Sequence, residues 1–309
     1  MEDKIEVITL LQEKQILVSK LNSLIYGAIE IREKNSKKYI YVHCRENGIV
    51  ITKYVGEYLD ELYNLILNNN IESKKIKKNL REKDKKLKQL NYIEEDLKEE
   101  VELNIDFAKR HLIDTIYKQA ILEGVATTLT DTENIIEGGK VSNMTSEDVM
   151  KIINLKHAWE FILNKNVIVS QTNFSLLCQI NKLVEEGFYY NAGKVRNIPV
   201  SISGTKWTPA FPIESIIKEE IEEILGKQEC IDKVIELLLY LMKKQIFIDG
   251  NKRTAIIFIN HYLISNAQGM IVIPSELSEE FKTMLILYYE GKDENKIKEF
   301  IKEKCYMKL

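Results

Sequence analysis

The stretch that decides the fold runs Gln245-Ile-Phe-Ile-Asp-Gly-Asn-Lys-Arg-Thr-Ala255. Two strongly apolar segments flank it. Upstream, residues 229–245 carry Val234, Ile235, Leu237, Leu238, Leu239 and Leu241; downstream, residues 252–266 carry Ile256, Ile257, Phe258, Ile259, Tyr262 and Leu263. Helices this apolar belong inside a bundle. The polar turn Asp249–Arg253 is therefore held between two buried helices, and Gly250 and Asn251 permit positive φ there. It opens directly into a helix N-terminus, whose free N–H groups and dipole attract anions. Lys252 and Arg253 add positive charge. Asp249 offers a hard oxygen for Mg²⁺, which is commonly held by one or two carboxylates plus phosphates. Asp-Gly-Asn is also an ordinary helix–helix turn, but the buried flanks and the basic pair favour phosphate binding.

The rest of the chain supports a mainly helical fold. Its 309 residues suggest about two domains. Hydrophobic residues make up 45 % and charged residues 29 %, a globular balance, and only 4 prolines and 13 glycines interrupt it. The 44 Lys+Arg against 47 Asp+Glu give a net charge of −3, which argues against a globally basic nucleic-acid binder and leaves a local patch open. Cys44, Cys178, Cys230 and Cys305 form no CxxC pair, so neither a zinc site nor a disulfide framework is indicated and a cytoplasmic location is expected. No signal peptide and no apolar run of membrane-spanning length is read.

The pattern changes near residue 105. Residues 3–23 read as an amphipathic helix. Ile25–Arg32, Lys38–Arg45 and Ile49–Val55 read as a three-stranded meander, with Asn47-Gly48 as a hairpin turn. Residues 57–67 return to helical spacing. Residues 71–103 are helical and highly charged: nine Lys/Arg against two acids between Lys74 and Lys88, then six acids against one Lys between Glu94 and Glu102. This reads as a solvated helical face, with a nucleic-acid or acidic-partner patch as the alternative; the two acids and the lack of an evident stacking platform favour the former. Residues 1–104 are thus expected to be an α+β partner-binding or regulatory region, and residues 105–309 a helical domain.

Within 105–309, helices are expected at 107–125, 132–137, 145–164 (with a Thr145–Asp148 capping box), 172–187, 213–226, 229–245, 252–266, 275–290 and 294–304. Residues 193–212 hold three of the four prolines and an alternating Val200–Ile202 stretch, which predicts a short β-hairpin off the helical body.

Gln245–Ala255 resembles the Fic/Doc signature H-x-F-x-[D/E]-G-N-[G/K]-R, with Phe247, Asp249, Gly250, Asn251, Lys252 and Arg253 in register. The hairpin region resembles that family's target-docking flap, and Ile135–Lys140 its inhibitory-helix region. The resemblance spans roughly residues 105–309. It implies an all-helical Fic-type bundle that transfers AMP from Mg-ATP to a Ser, Thr or Tyr hydroxyl of a target protein, or, in Doc-type members, the γ-phosphate. It further implies that Phe247 anchors the loop and Asp249 holds Mg²⁺. Gly250, Asn251 and Lys252 would cradle phosphate and Arg253 would bind it. Val200, Ser201, Ile202 and Ser203 would pair with an extended target segment, and Glu137 would be the inhibitory glutamate. The N-terminal region would bind a regulatory partner or nucleic acid, and a homodimer is possible.

Three positions depart from the signature. Gln245 stands where the family's general-base histidine would be, and an amide has no useful titration for that task. Transfer driven by positioning and electrostatics retains some turnover without a base, so weak transfer and a catalytically silent binding module both remain open. Lys252 is the Doc-like choice. Ile256 replaces a second arginine. His261 reads as a structural or surface histidine rather than as a substitute base.

Overall fold

The computed structural model describes residues 2–34, 37–46, 49–90, 92, 97–139, 141 and 144–309. The chain forms two compact units, residues 1–94 and 95–309.

The first unit begins with α1 (Glu2–Ser23). An antiparallel meander follows: β1 (Ala28–Lys34), β2 (Lys37–Glu46) and β3 (Ile49–Glu57), in the order β1-β2-β3. The Asn47-Gly48 turn lies outside the described residues. Side chains alternate across the sheet. Ile40 and Val42 are buried against Ile66 of α2 (Asp60–Gln89), while Tyr39 and Tyr41 stand on the other face. Gly56 faces Ile40 at a register shift, after which Tyr54 pairs with Tyr41. α2 is a single helix of 30 residues that absorbs the segment expected at 57–67 and most of the charged run. Its far half packs Leu87 against Leu10 and Leu11 of α1.

The second unit is a helical bundle. α3 (Glu99–Arg110) and α4 (Leu112–Leu122) divide at His111 what the sequence reads as one helix over 107–125. Residue 104 lies inside α3, where Asn104 Oδ1 accepts the Gly269 N–H at 2.8 Å and ties α3 to this bundle. α5 (Leu129–Ile136) starts three residues earlier than expected because Thr128 caps it: its Oγ1 accepts the Asp131 N–H at 3.0 Å. Thr145 caps α6 (Ser146–Ile162) in the same way through Asp148, as its spacing predicts. Then come α7 (Lys165–Ile168), α8 (Phe174–Val184), α9 (Glu214–Leu225), α10 (Ile231–Lys244) and α11 (Asn251–Ser265).

β4 (Met270–Ile271), α12 (Ser278–Tyr289), α13 (Glu294–Phe300) and β5 (Tyr306–Met307) complete the bundle. β4 and β5 pair antiparallel, a contact with no signal in their two-residue sequences. α11 is the central helix. Twelve of its fifteen residues are buried, and it packs against α3, α6, α8 and α10. That explains its apolar character on nearly every side. Among the described residues no helix is long and apolar enough to cross a membrane.

Residues 193–213 contain no strand, which corrects the expected hairpin. Their carbonyls find a guanidinium instead of a ladder. Arg196, almost wholly buried, donates from Nη1 to the Ile198 carbonyl at 2.9 Å and from Nη2 to the Ala210 carbonyl at 2.6 Å. One side chain thereby closes both ends of the loop without strand pairing.

Candidate active site

The site is built on the turn between α10 and α11. α10 ends at Gln245, which adopts the left-handed conformation (φ 46°, ψ 61°). For a residue with a Cβ this stores of order 1–2 kcal/mol, so the surroundings must hold it. Arg196 Nε donates to the Gln245 carbonyl at 2.6 Å. The Gln245 amide donates to the Met242 carbonyl at 2.7 Å, and its Oε1 accepts from Asn251 Nδ2 at 3.1 Å. The side chain also meets the Tyr289 hydroxyl. Both ends of the amide are thus engaged by protein.

Asn251 clasps the turn from the inside. Its Oδ1 accepts the Phe247 N–H and its Nδ2 donates to the Phe247 carbonyl, each at 2.9 Å. Phe247 is buried beneath it. Gly250 has φ 71°, and a Cβ there would collide with Glu185 Oε1. Glycine is required both for the backbone and for the carboxylate behind it. Asn181 of α8 donates to the Asp249 carbonyl at 3.0 Å and to Thr254 Oγ1 at 3.1 Å, while its Oδ1 accepts the Gly193 N–H at 2.8 Å. It joins the turn, α11 and the start of the 193–213 loop.

Charge is concentrated at the start of α11. Arg253 Nη2 lies 2.9 Å from Glu185 Oε1 and 3.7 Å from Asp249 Oδ1. Glu123, at the end of α4, reaches both cations, 3.4 Å from Lys252 Nζ and 3.5 Å from Arg253 Nε. Burial lifts the Glu185 carboxyl to about 7; Asp249 and Glu123 push the same way and Arg253 opposes them. Arg253 Nε and Nη1 are buried and make no hydrogen bond. Unsatisfied guanidinium nitrogens are costly.

A cavity of about 410 Å³ opens beside this cluster. Gln245, Ile248, Asp249 and Lys252 line one wall; Val200, Ser201, Ile202 and Ser203 line another. Leu122, Glu123 and Gly124 also border it, and α12 contributes Lys282, Leu285, Ile286 and Tyr289. Tyr289 is buried, its ring centroid 5.5 Å from that of Trp207, and burial raises its hydroxyl pKa well above the usual phenol value. Gly250, Asn251 and Arg253 do not line the cavity; they shape and charge it from behind.

Glu137 does not join this cluster. It is exposed at the C-terminal end of α5, and the glutamate lying against Lys252 and Arg253 is Glu123. Glu137, the expected inhibitory glutamate, makes no ion pair with Lys252 or Arg253 among the described residues; Lys140 lies outside the described residues. The only sequence signal for Glu123 is its place directly before Gly124 at a helix end. Glu185, Arg196 and Tyr289 gave no signal, because their partners are far away in the chain. His261 is structural, as read: it is fully buried, bonded to Thr172 and the Val167 carbonyl, and desolvation lowers it to about 4. Ile256 is buried in the core.

Asp249 fits a magnesium ligand in chemistry and place. Its carboxylate is half exposed and lines the cavity, with Oδ1 anchored by the Gly250 N–H at 2.7 Å. The described residues hold no cluster of three metal-ligating side chains, so phosphate oxygens would have to complete the coordination.

The Fic/DOC family model matches residues 171–263, which span α8 through most of α11. No curated protein matches the chain by sequence. Among solved structures, Fic-1 from C. elegans is 15 % identical with a TM-score of 0.53, over 79 % of this chain and 77 % of that one. A Fic family protein from Desulfovibrio desulfuricans G20 is 13 % identical with a TM-score of 0.51, over 67 % of this chain and 72 % of that one. At such identities the likeness is one of fold, while the matched segment contains the turn itself. Residues 171–263 thus carry a Fic/DOC family domain.

Proposed function

We propose that the chain binds Mg-ATP in this cavity and transfers AMP to a Ser, Thr or Tyr hydroxyl of a target protein, slowly. The observation that supports this most is the shared cavity, in which the 245–252 turn and residues 200–203 face one space. The polyphosphate would lie over Lys252 and the α11 N-terminus. Asp249 would hold Mg²⁺, which would neutralise charge on the phosphates. A target segment would lie along Val200–Ser203, whose backbone has no ladder partner among the described residues. The target oxygen would form the new bond to the α-phosphorus as the bond to pyrophosphate breaks, and the hydroxyl proton would leave to water. Gln245 cannot take that proton. Its contribution is limited to positioning, which leaves out the ~10²–10⁴-fold of a general base.

Glu123 adds an obstacle. It occupies the cations that phosphate needs, so nucleotide entry requires it to withdraw. Its position supports an inhibitory role in place of Glu137.

A second reading, nucleotide binding without transfer, is favoured by one observation: both ends of the Gln245 amide are engaged within the protein. Incubation with Mg²⁺ and ATP labelled at the α- or γ-phosphate separates these readings. Label carried to protein from the α position supports AMP transfer. Label from γ alone indicates Doc-like phosphorylation. Nucleotide binding without label transfer supports the second reading, and absence of nucleotide binding defeats both.

A further inference from the structure

The charged run at 74–88, which the nucleotide site does not use, occupies the second half of α2. Eight of its nine cations are exposed; Lys83 is partly covered and bridges to Glu13. Of its two acids, Asp84 is engaged by Lys14 of α1 at 2.8 Å, and Glu82 lies 3.9 Å from Lys78. Lys74 and Lys78, Lys77 and Arg81, and Arg81 and Lys85 are each four residues apart. Like charges at this spacing repel across one helical turn. A face kept only for solubility is normally mixed in sign; repulsion of one sign is relieved by a polyanion.

A second feature of the same unit points to the kind of polyanion. Tyr39 and Tyr41 of β2 meet Tyr54 of β3, with ring centroids 6.2 and 5.4 Å apart. The Arg32 guanidinium lies 4.4 Å from the Tyr41 ring centroid. The tyrosines stand on the face opposite buried Ile40 and Val42, and Tyr54 is 59 % exposed. Cross-strand aromatic pairs stabilise a small sheet, but that alone does not require three tyrosines on its open face. Aromatic rings and a guanidinium plane on a sheet surface are what unpaired bases stack on. The charge is also uneven along the chain: residues 1–94 hold 18 Lys+Arg against 14 Asp+Glu, and residues 95–309 hold 26 against 33.

We propose that the first unit binds single-stranded nucleic acid that passes round the sheet edge, the exposed cations of α2 meeting phosphates and the Tyr39–Tyr41–Tyr54 rings, on the sheet face turned from α2, meeting bases. This site is independent of the nucleotide cavity and of the reaction proposed there. The two sources of such a ligand, DNA and RNA, share this chemistry.

The test is fluorescence anisotropy on the full chain. The probes are labelled oligothymidylate and oligouridylate of about 20 nucleotides and a duplex of equal length, at about 50 mM salt and upwards. Phosphatidylserine vesicles form a separate arm. The single strands should bind more tightly than the duplex, and better binding of one of them names the source. The variant K78Q/R81Q/K85Q should flatten the slope of log K against log salt by about 2, since each single-strand phosphate contact contributes roughly 0.7. Tyr54→Leu, which keeps an apolar group on the sheet, should weaken single-strand binding roughly tenfold without changing that slope. Tyr54→Phe, which keeps the ring, should bind like the parent. The proposal is overturned if no oligonucleotide binds at the lowest salt, or if only vesicles bind. It is equally overturned if the duplex binds as tightly as the single strands and Tyr54→Leu changes nothing.

Discussion

Arg253 and Glu185 form a buried ion pair, Nη2 to Oε1 at 2.9 Å, with side chains 3 % and 2 % exposed. Three carboxylates, from Glu185, Glu123 and Asp249, share Arg253, so the pair belongs to a locally acid-rich cluster. Glu185 bears the consequence, and burial lifts its carboxyl to about 7.

The folded-state value lies above the 4.5 expected for an unperturbed carboxyl, so the folded chain binds this proton more tightly than the unfolded chain. The associated stability is fully present below about 4.5 and is lost as pH rises to about 7. Glu185→Gln, neutral throughout, should gain on the parent across that window by on the order of 2–3 kcal/mol. Urea denaturation of both proteins from pH 4 to 8 measures this, and parallel curves would show that Glu185 ionises normally.

Glu123→Gln removes the negative charge lying against Lys252 and Arg253. Phosphate should then meet less competition, and ATP affinity should rise by about tenfold, equivalent to ~1.4 kcal/mol. Isothermal titration with Mg-ATP reads this directly. Glu137→Gln, at an exposed residue that pairs with neither cation among the described residues, should leave the affinity unchanged. The reverse pattern would return the inhibitory role to Glu137.

Gln245→His restores an ionisable ring at the left-handed end of α10. If the scaffold is otherwise competent, label transfer from α-labelled ATP should increase at least tenfold, towards the ~10²–10⁴ of a positioned base. Unchanged transfer with intact ATP binding would point to a binding module.

Gly250→Ala introduces a Cβ at φ 71° against the Glu185 carboxylate. It should destabilise the chain by more than about 1 kcal/mol and weaken ATP binding, because the turn must open. A melting temperature within one degree of the parent would contradict the geometry.

Gln119→Leu addresses the support beneath the turn. Gln119 Nε2 donates to the Arg253 carbonyl at 2.9 Å and its Oε1 accepts from Trp159 Nε1 at 2.8 Å, all in the core. Leucine leaves the buried Trp159 indole N–H unpaired, at about 1–3 kcal/mol, and removes a second donor from the Arg253 carbonyl, which keeps its bond within α11. Thermal denaturation should show a large loss, and a neutral result would mean the helices repack around the change.

Much of the fold was legible because its signals are local. Apolar segments on both sides of Asp249–Arg253 announced a buried helix pair, and Thr145-x-x-Asp148 announced a helix start. In the 193–212 stretch, alternation in Val200–Ile202 suits a strand, but a strand also needs a partner. Arg196, with its guanidinium against both ends of the loop, supplied the hydrogen bonds a partner would have given. The resemblance of Ile135–Lys140 to an inhibitory helix points to Glu137, whereas Glu123 also precedes a glycine at a helix end and only packing sets it against Lys252.

By itself, the sequence determined that a glycine-containing polar turn would sit between two core helices, that it would carry Asp249, Lys252 and Arg253, and that Gln245 would stand without a base. Those properties depend on residue type and on spacing within one or two turns of helix. The tertiary structure alone decided which carboxylates surround Arg253, how Gln245 is held, and that Tyr39, Tyr41 and Tyr54 share a face. Ion pairs and ring contacts depend on distances of a few ångströms between segments far apart in the chain, and only the folded packing sets those distances.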